Sequence, residues 1–232
     1  MPIKGYKNSC ENLTAVTRLT APFSTIMFKP FVVPDEIFTN LGVCDVKEYN
    51  FLDPLIWLKD LIPNVEYIKK EIPEVNFTKP IVVVREEEFK ASYVLKQTTF
   101  LYEAIKELEK LDINLIIIPR YESEHLKEKF KKAIILEKKI ILQHLLAYSN
   151  LFIGGGGTIN IEATYFGVPV ISTRSFISHY DKFLIDNKLM WHSNNSEEIV
   201  NLAKELIDKK TDSQKVYEKM DVNIDMFIRE II

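Results

Sequence analysis

The 232-residue chain is 47% hydrophobic and 27% charged and contains 7 glycines, a globular composition that excludes collagen-like, low-complexity and disordered classes. Its 30 basic and 33 acidic residues leave a net charge of −3, so charge alone indicates neither a nucleic-acid partner nor an anionic membrane. The two cysteines, Cys10 and Cys44, are too few for a disulfide framework and have no metal-ligand spacing.

The apolar stretches of the chain are short. None approaches the roughly 20 apolar residues that a bilayer-crossing helix needs, and the N-terminus lacks the apolar core of a secretory signal. We therefore expect a cytoplasmic protein without a transmembrane segment.

Residues 1–78 are predicted to be the end of a preceding domain followed by a linker. Six prolines between residues 22 and 73 interrupt this segment, so only short elements fit there. We predict strands at 24–28 and 43–50 and a helix at 54–61, and we expect no complete βαβ unit.

Residues 79–208 show short β-branched runs that alternate with longer segments of helical period. This pattern predicts an α/β fold, a doubly wound parallel sheet with helices on both faces. The predicted strands are 81–85, 114–119, 133–136, 151–154, 168–173 and 190–192. The predicted helices are 98–111, 122–132, 140–149, 158–166, 180–187 and 196–208. A helical extension over 209–232, interrupted near Asp221, is expected to return across the body of the protein.

Four consecutive glycines at 154–157 lie between a predicted strand and the helix that begins at Thr158. Because each glycine costs backbone entropy on folding, such a run indicates either positive φ angles or a close approach to the backbone. At this edge of a parallel sheet, main-chain N–H groups and the helix dipole favour an anion such as phosphate. A tight turn that needs small residues for helix packing is the alternative.

Two common phosphate-binding motifs do not fit this turn. The dinucleotide fingerprint requires a third glycine where Ile159 stands and an acidic residue near the position of Arg174. The P-loop of nucleoside triphosphatases requires a lysine that is missing here. The phosphate ligand must therefore be of another class.

Glu162 in the following helix and Gly167-Val168-Pro169 complete a longer pattern. The segment FIGGGGTINIEATYFGVPVIST resembles the C-terminal half of glycosyltransferases of the GT-B architecture and of the related non-hydrolysing UDP-N-acetylglucosamine 2-epimerases. The resemblance implies that the diphosphate of a nucleotide sugar, a UDP-sugar in our interpretation, binds at the glycine turn and that Glu162 binds the ribose hydroxyls. The residues so assigned to the diphosphate are Gly156, Gly157 and Thr158, and Gly155 is a further binding candidate. A carboxylate that only interacts with the helix dipole is the alternative for Glu162.

Further segments narrow the resemblance to one family. They are KEYNFLDPL at 47–55, IVVVREEEFKASY at 81–93, LIIIPRYE at 115–122 and ILQHLLAYSNLFIGGGGT at 141–158. Together they resemble the archaeal family known as domain of unknown function 354, described as glycosyltransferase-like or epimerase-related. The match covers about residues 18–208 and implies a GT-B-like fold of two Rossmann-like domains.

The chain departs from this family pattern in two ways. A two-domain enzyme of this kind needs roughly 330 residues, so we expect a separate partner chain to supply the missing N-terminal half, or else a truncated product or a non-catalytic binding subunit. A homo-oligomer is the alternative to a partner chain. In the epimerases the loop after the first strand of this domain carries a catalytic histidine, and here it reads Arg85-Glu86-Glu87-Glu88. The epimerase is therefore the less favoured alternative.

Several other residues are candidates for the site. Arg85 and Arg120 end predicted strands at the edge where open α/β sheets bind ligands, and the alternative for both is a solvent-exposed strand end. Thr173 and Arg174 follow the fifth strand and are assigned to the sugar hydroxyls. Lys90 and Tyr93 are weaker binding candidates, and the alternative for both is that this segment only begins a helix. His179 is a minor candidate for catalysis.

The sequence as a whole predicts a nucleotide-sugar-binding, glycosyltransferase-like protein. In this hypothesis glycine N–H groups and arginine stabilise the departing nucleoside diphosphate, with neither metal nor cofactor. The base, the sugar and the acceptor are not identified by any residue.

Overall fold

The computed structural model describes residues 6–8, 15–86, 100–121 and 123–231. Two parallel sheets of three and six strands form its framework. This arrangement confirms the predicted α/β class. No helix in the described ranges is long and apolar enough to cross a membrane.

The first sheet contains β1 (Tyr6–Asn8), β2 (Ile26–Pro30) and β3 (Val46–Tyr49), in that order and all parallel. Helix α1 (Ala15–Thr20) and a short 3₁₀ helix connect the first two strands, and α2 (Glu36–Thr39) connects the second and third. The expectation that no complete βαβ unit fits here is therefore wrong. Helix α2 has only 4 residues, which is too short to show a helical period in the sequence.

Two further helices lie between the sheets along the chain. Helix α3 (Leu55–Leu58) falls inside the helix predicted at 54–61, whereas α4 (Val65–Glu71) was not predicted. Asn64 caps α4, since its side chain accepts a hydrogen bond from the main-chain N–H of Tyr67 at 3.0 Å.

The second sheet contains all six predicted strands. They are β4 (Ile81–Arg85), β5 (Asn114–Ile118), β6 (Ile134–Ile135), β7 (Leu151–Gly154), β8 (Val170–Ser172) and β9 (Met190–His192). Their order is β6-β5-β4-β7-β8-β9, with every neighbouring pair parallel. The strand order reverses between β4 and β7, which is where open sheets of this type bind ligands.

Helices cover both faces of this sheet. They are α5 (Phe100–Leu108), α6 (Glu124–Lys129), α7 (Leu142–Ala147), α8 (Gly157–Tyr165), α9 (His179–Asp186) and α10 (Ser196–Leu206). Because side chains alternate along a strand, Val82 and Val84 pack in one buried cluster with α5 and α10. Val83 packs on the opposite side with α8 and α9, in a cluster that continues into the first sheet.

The C-terminal segment forms α11 (Ser213–Tyr217) and α12 (Asp225–Ile231) and returns to the first sheet. The ring of Phe227 lies 4.8 Å from that of Phe28 and 5.3 Å from that of Tyr49, measured between centroids. The main-chain N–H of Asp221 donates to the carbonyl of Asn50 at 3.2 Å. The expected return across the protein is confirmed.

Candidate functional site

A cavity of roughly 350 Å³ opens at the carboxyl ends of β4, β5 and β7. Eight of the predicted binding residues line it, namely Arg85, Arg120, Gly155, Gly156, Gly157, Thr158, Glu162 and Arg174. Four further residues that were not predicted from the sequence also line the cavity, namely Glu86, Leu142, Gln143 and Ile159.

The glycine turn forms one wall of the cavity. Its glycines are not among the described positive-φ residues, where the glycines are Gly42 and Gly167, so left-handed backbone does not explain the run. Packing explains two positions: a Cβ on Gly156 would stand 2.8 Å from Cγ2 of Ile159, and one on Gly154 would stand 3.1 Å from the carbonyl oxygen of Arg85. The small residues are thus needed for close packing around the turn.

Helix α8 begins at Gly157 without a side-chain cap, because its N-cap residue is Gly156. The first N–H groups of an α-helix have no partner within the helix. Since Gly156, Gly157 and Thr158 line the cavity, these donors and the positive end of the helix dipole are available to an anion there.

Arg85 stands at the end of β4 beside this turn. Among the residues that the structure describes, none forms a hydrogen bond or an ion pair with its guanidinium. Burial and the neighbouring charge of Arg120 lower the pKa of Arg85 from its ordinary value, and the Glu162 carboxylate acts in the opposite direction. An arginine keeps its charge in a protein, so this cavity holds a half-buried cation that an anion would stabilise.

Glu86 connects the ends of β4 and β5. Its Oε2 accepts from the main-chain N–H of Arg120 at 2.9 Å, and its Oε1 accepts from the hydroxyl of Tyr102. Burial, followed by this hydrogen bond and the charge of Glu86, raises the pKa of Tyr102. His125 Nε2 lies 3.7 Å from the same Oε1. Glu86, which is buried, therefore fixes the position of the strand ends that carry both arginines.

Arg174 is buried against the glycine turn, beside Gly157. Its Nη1 donates to Oδ2 of Asp181 at 2.6 Å and to Oγ of Ser178 at 3.1 Å, and its guanidinium stacks 4.2 Å from the ring centroid of Phe176. The arginine lines the cavity but is already paired within the protein. Its assignment to the sugar hydroxyls stays a prediction.

The remaining predicted residues lie outside the cavity lining or outside the described part of the chain. Thr173 is buried, and its main-chain N–H donates to the carbonyl of Gly154 at 3.1 Å. His179 is the first residue of α9, and neither it nor Thr173 is among the described residues that line the cavity. Lys90 and Tyr93 fall outside the described residues.

Glu162 is only 6% exposed and forms the floor of the site. Its Oε1 accepts hydrogen bonds from Nε1 of Trp57 and Nε2 of Gln143, both at 2.9 Å. The first turn of α8 contains no acidic residue, so Glu162 stands beyond the part of the helix where the dipole acts most strongly. The alternative of a carboxylate that only interacts with the dipole is thereby weakened.

Comparison with known proteins identifies the family. The family model described as "Protein of unknown function (DUF354)" matches residues 6–232, and the chain belongs to this family. An uncharacterized protein of Methanocaldococcus jannaschii is 28% identical over 213 residues, which are 86% of this chain and 60% of that protein. The chain thus spans less than two thirds of the length of this relative.

Solved structures show the same fold at low sequence identity. The UDP-GlcNAc 2-epimerase of M. jannaschii, solved with UDP-GlcNAc and UDP, matches with a TM-score of 0.60 and 16% identity over 81% of this chain and 56% of that one. A spinosyn rhamnosyltransferase complexed with thymidine diphosphate matches with a TM-score of 0.63 and 11% identity over 92% of this chain and 69% of that one. The fold is therefore GT-B-like and Rossmann-like.

Proposed function

We propose that this member of the DUF354 family binds a nucleotide sugar, in our hypothesis a UDP-sugar, in the cavity beside the glycine turn and acts as a glycosyltransferase-like protein. The observation that carries the proposal is the Arg85 guanidinium, which forms no hydrogen bond or ion pair with a described residue and stands beside the uncapped start of α8. We assign residues 79–208 to the nucleotide-binding domain.

The diphosphate is the part of the ligand that this wall fits best. Main-chain N–H groups of Gly156, Gly157 and Thr158 would donate to its oxygens, with Gly155 close by, while Arg85 and Arg120 supply positive charge. Charge-assisted hydrogen bonds of this kind are about twice as strong as neutral ones. A bound diphosphate would also offset the burial that lowers the pKa of Arg85.

Glu162 would bind the ribose. Its Oε1 already accepts two hydrogen bonds, whereas no described residue donates to Oε2. An ionised carboxylate has about four lone-pair sites, two on each oxygen, so Oε2 can still accept from the hydroxyls of a cis-diol. The roughly 350 Å³ of the cavity lies within the range of small-molecule sites.

The proposed chemistry is stabilisation of a departing nucleoside diphosphate by fixed N–H donors and arginine. The acceptor site and a general base are then supplied by another part of the protein, by a partner chain or by a second copy. His179 remains a candidate within this chain. If nothing supplies them, the chain is a non-catalytic nucleotide-sugar-binding subunit, and turnover assays with and without a partner separate the two cases.

A nucleotide-sugar 2-epimerase is the second candidate, because the M. jannaschii epimerase shares the fold at a TM-score of 0.60. The segment Arg85-Glu86-Glu87-Glu88 contains no histidine, whereas by resemblance the epimerases carry their catalytic histidine in this loop, which disfavours this reaction. Formation of a 2-epimer without an acceptor would distinguish it from sugar transfer.

Thermal unfolding with nucleoside diphosphates and nucleotide sugars tests the proposal. A ligand at about 100 times its Kd stabilises the native state by about 2.7 kcal/mol, so the binding nucleotide raises the Tm of the wild type. Glu162→Gln is expected to lose most of this shift, and Glu128→Gln, at an exposed position of α6, to keep it. Equal shifts in both variants would contradict the role of Glu162, and no shift with any nucleotide would contradict the binding function.

A further inference from the structure

Both protein donors to Glu162 use the same carboxylate oxygen. The indole N–H of Trp57 and the side-chain amide of Gln143 each donate to Oε1 at 2.9 Å. One carboxylate oxygen has about two lone-pair sites, so these two donors occupy both acceptor sites of Oε1. Oε2 is left as the oxygen that a ligand in the cavity can use.

Trp57 reaches this carboxylate from outside the six-stranded sheet. It belongs to α3, whose Leu55 and Leu58 are 3% and 0% exposed and anchor the helix in the core. Trp57 itself is 44% exposed. Burial of the ring therefore does not explain the position of Trp57. The one polar group of its side chain, the indole N–H, donates to Glu162.

Trp57 and Gln143 differ in their relation to the cavity. Gln143 lines it and can touch a ligand, whereas Trp57 is not among the described residues that line it. Any effect of the Trp57 indole N–H on ligand binding therefore passes through Glu162. This makes Trp57 the more informative residue to change.

We propose that Trp57 is a positioning residue, which holds Glu162 in the orientation that presents Oε2 to the ribose hydroxyls of the nucleotide. The inference rests on the proposed function and deepens it, because it makes α3 part of the nucleotide site. Without the indole N–H, Oε1 keeps one donor and the carboxylate can turn. The ribose contact then weakens, while the diphosphate contact at the glycine turn does not.

The test is a titration of the wild type and of Trp57→Phe with three probes, UDP, 2′-deoxyuridine 5′-diphosphate and inorganic pyrophosphate. The matched control is Trp191→Phe, at the other of the two tryptophans of the chain. We expect the wild type and the control to prefer UDP over the deoxy analogue by about tenfold, the scale of a hydrogen bond to a charged group. Trp57→Phe is expected to bring this ratio close to one and to leave pyrophosphate affinity unchanged, which also shows that the variant is folded.

A second measurement keeps Trp57 in place. In the Trp191→Phe variant, Trp57 is the remaining tryptophan. We expect saturation with UDP to change the fluorescence emission of Trp57, and we expect saturation with pyrophosphate to leave it unchanged. One outcome would overturn this inference and leave the proposed function standing: Trp57→Phe keeps the preference for UDP over the deoxy analogue, and Glu162→Gln loses it. No UDP binding by the wild type would overturn both.

Discussion

Nη1 of Arg174 lies 3.4 Å from the point where a Cβ on Gly157 would stand. The buried arginine therefore packs directly against the first turn of α8. Its position is fixed in turn by Asp181, the residue that also closes the capping box of α9 with Ser178. The wall of the cavity thus depends on a buried ion pair seven residues apart in sequence.

Asp181→Ala is expected to destabilise the protein by about 3–5 kcal/mol, because it leaves the Arg174 charge buried without its partner. Urea unfolding measures this loss. The matched control is Asp212→Ala, which breaks the exposed pair with Lys215 at 2.6 Å and is expected to cost less than about 1 kcal/mol. Similar losses in the two variants would show that the buried pair does not hold this wall.

Gly156→Ala is expected to destabilise the glycine turn by about 1–3 kcal/mol, the usual cost of overpacking. The new Cβ would stand 2.8 Å from Cγ2 of Ile159, so one of the two must shift. The double variant Gly156→Ala/Ile159→Ala lacks this contact. In a double-mutant cycle of unfolding free energies, we therefore expect the double variant to lose less stability than the sum of the two single variants.

Gly157→Ala serves as the control for that prediction, since its Cβ would meet the protein no closer than 3.4 Å. Alanine is also a better helix former than glycine. We expect unchanged or slightly higher stability. A loss equal to that of Gly156→Ala would contradict the packing explanation of the turn.

Tyr102→Phe tests the anchoring of Glu86 through its pH dependence. The raised pKa of Tyr102 means that its hydroxyl contributes stability below the unfolded-state value of about 10 and loses that contribution as pH rises above it. We expect a loss of about 1–3 kcal/mol at neutral pH that narrows above pH 10.

The control is Tyr148→Phe, whose hydroxyl donates to the main-chain carbonyl of Pro63 at 3.3 Å rather than to a carboxylate. Urea unfolding at several pH values compares the two variants with the wild type. A Tyr102→Phe deficit that stays constant from pH 7 to above pH 10 would contradict the buried pairing of Tyr102 with Glu86.

The second sheet could be predicted from sequence because its signals are local. Strand β4 (Ile81–Arg85) begins with four β-branched residues and lies between polar and proline-containing segments, and the glycine run marks the strand-to-helix turn by itself. Helices α2 and α4 lack such signals, since 4 and 7 residues do not establish a helical period. The first sheet was therefore only partly predicted.

The missed site residues depend on tertiary contacts. Trp57 and Glu162 are 105 positions apart, and no local pattern connects them. Glu86 begins a run of three glutamates, a composition that is typical of a solvated loop. In the structure Glu86 is buried, and it accepts hydrogen bonds from the Tyr102 hydroxyl and the Arg120 N–H. Arg85 and Arg120 were found because strand ends at the carboxyl edge of a parallel sheet meet in space.

We expect the cavity to bind the diphosphate of a nucleotide through Arg85 and the glycine turn. Calorimetric titration of UDP into the wild type, Arg85→Met and the control Arg229→Met, at an exposed position of α12, tests it most directly. We expect one UDP to bind per chain of the wild type and of the control, and we expect binding to Arg85→Met to be at least about tenfold weaker. Equal affinity in Arg85→Met, or no binding by the wild type, would contradict it.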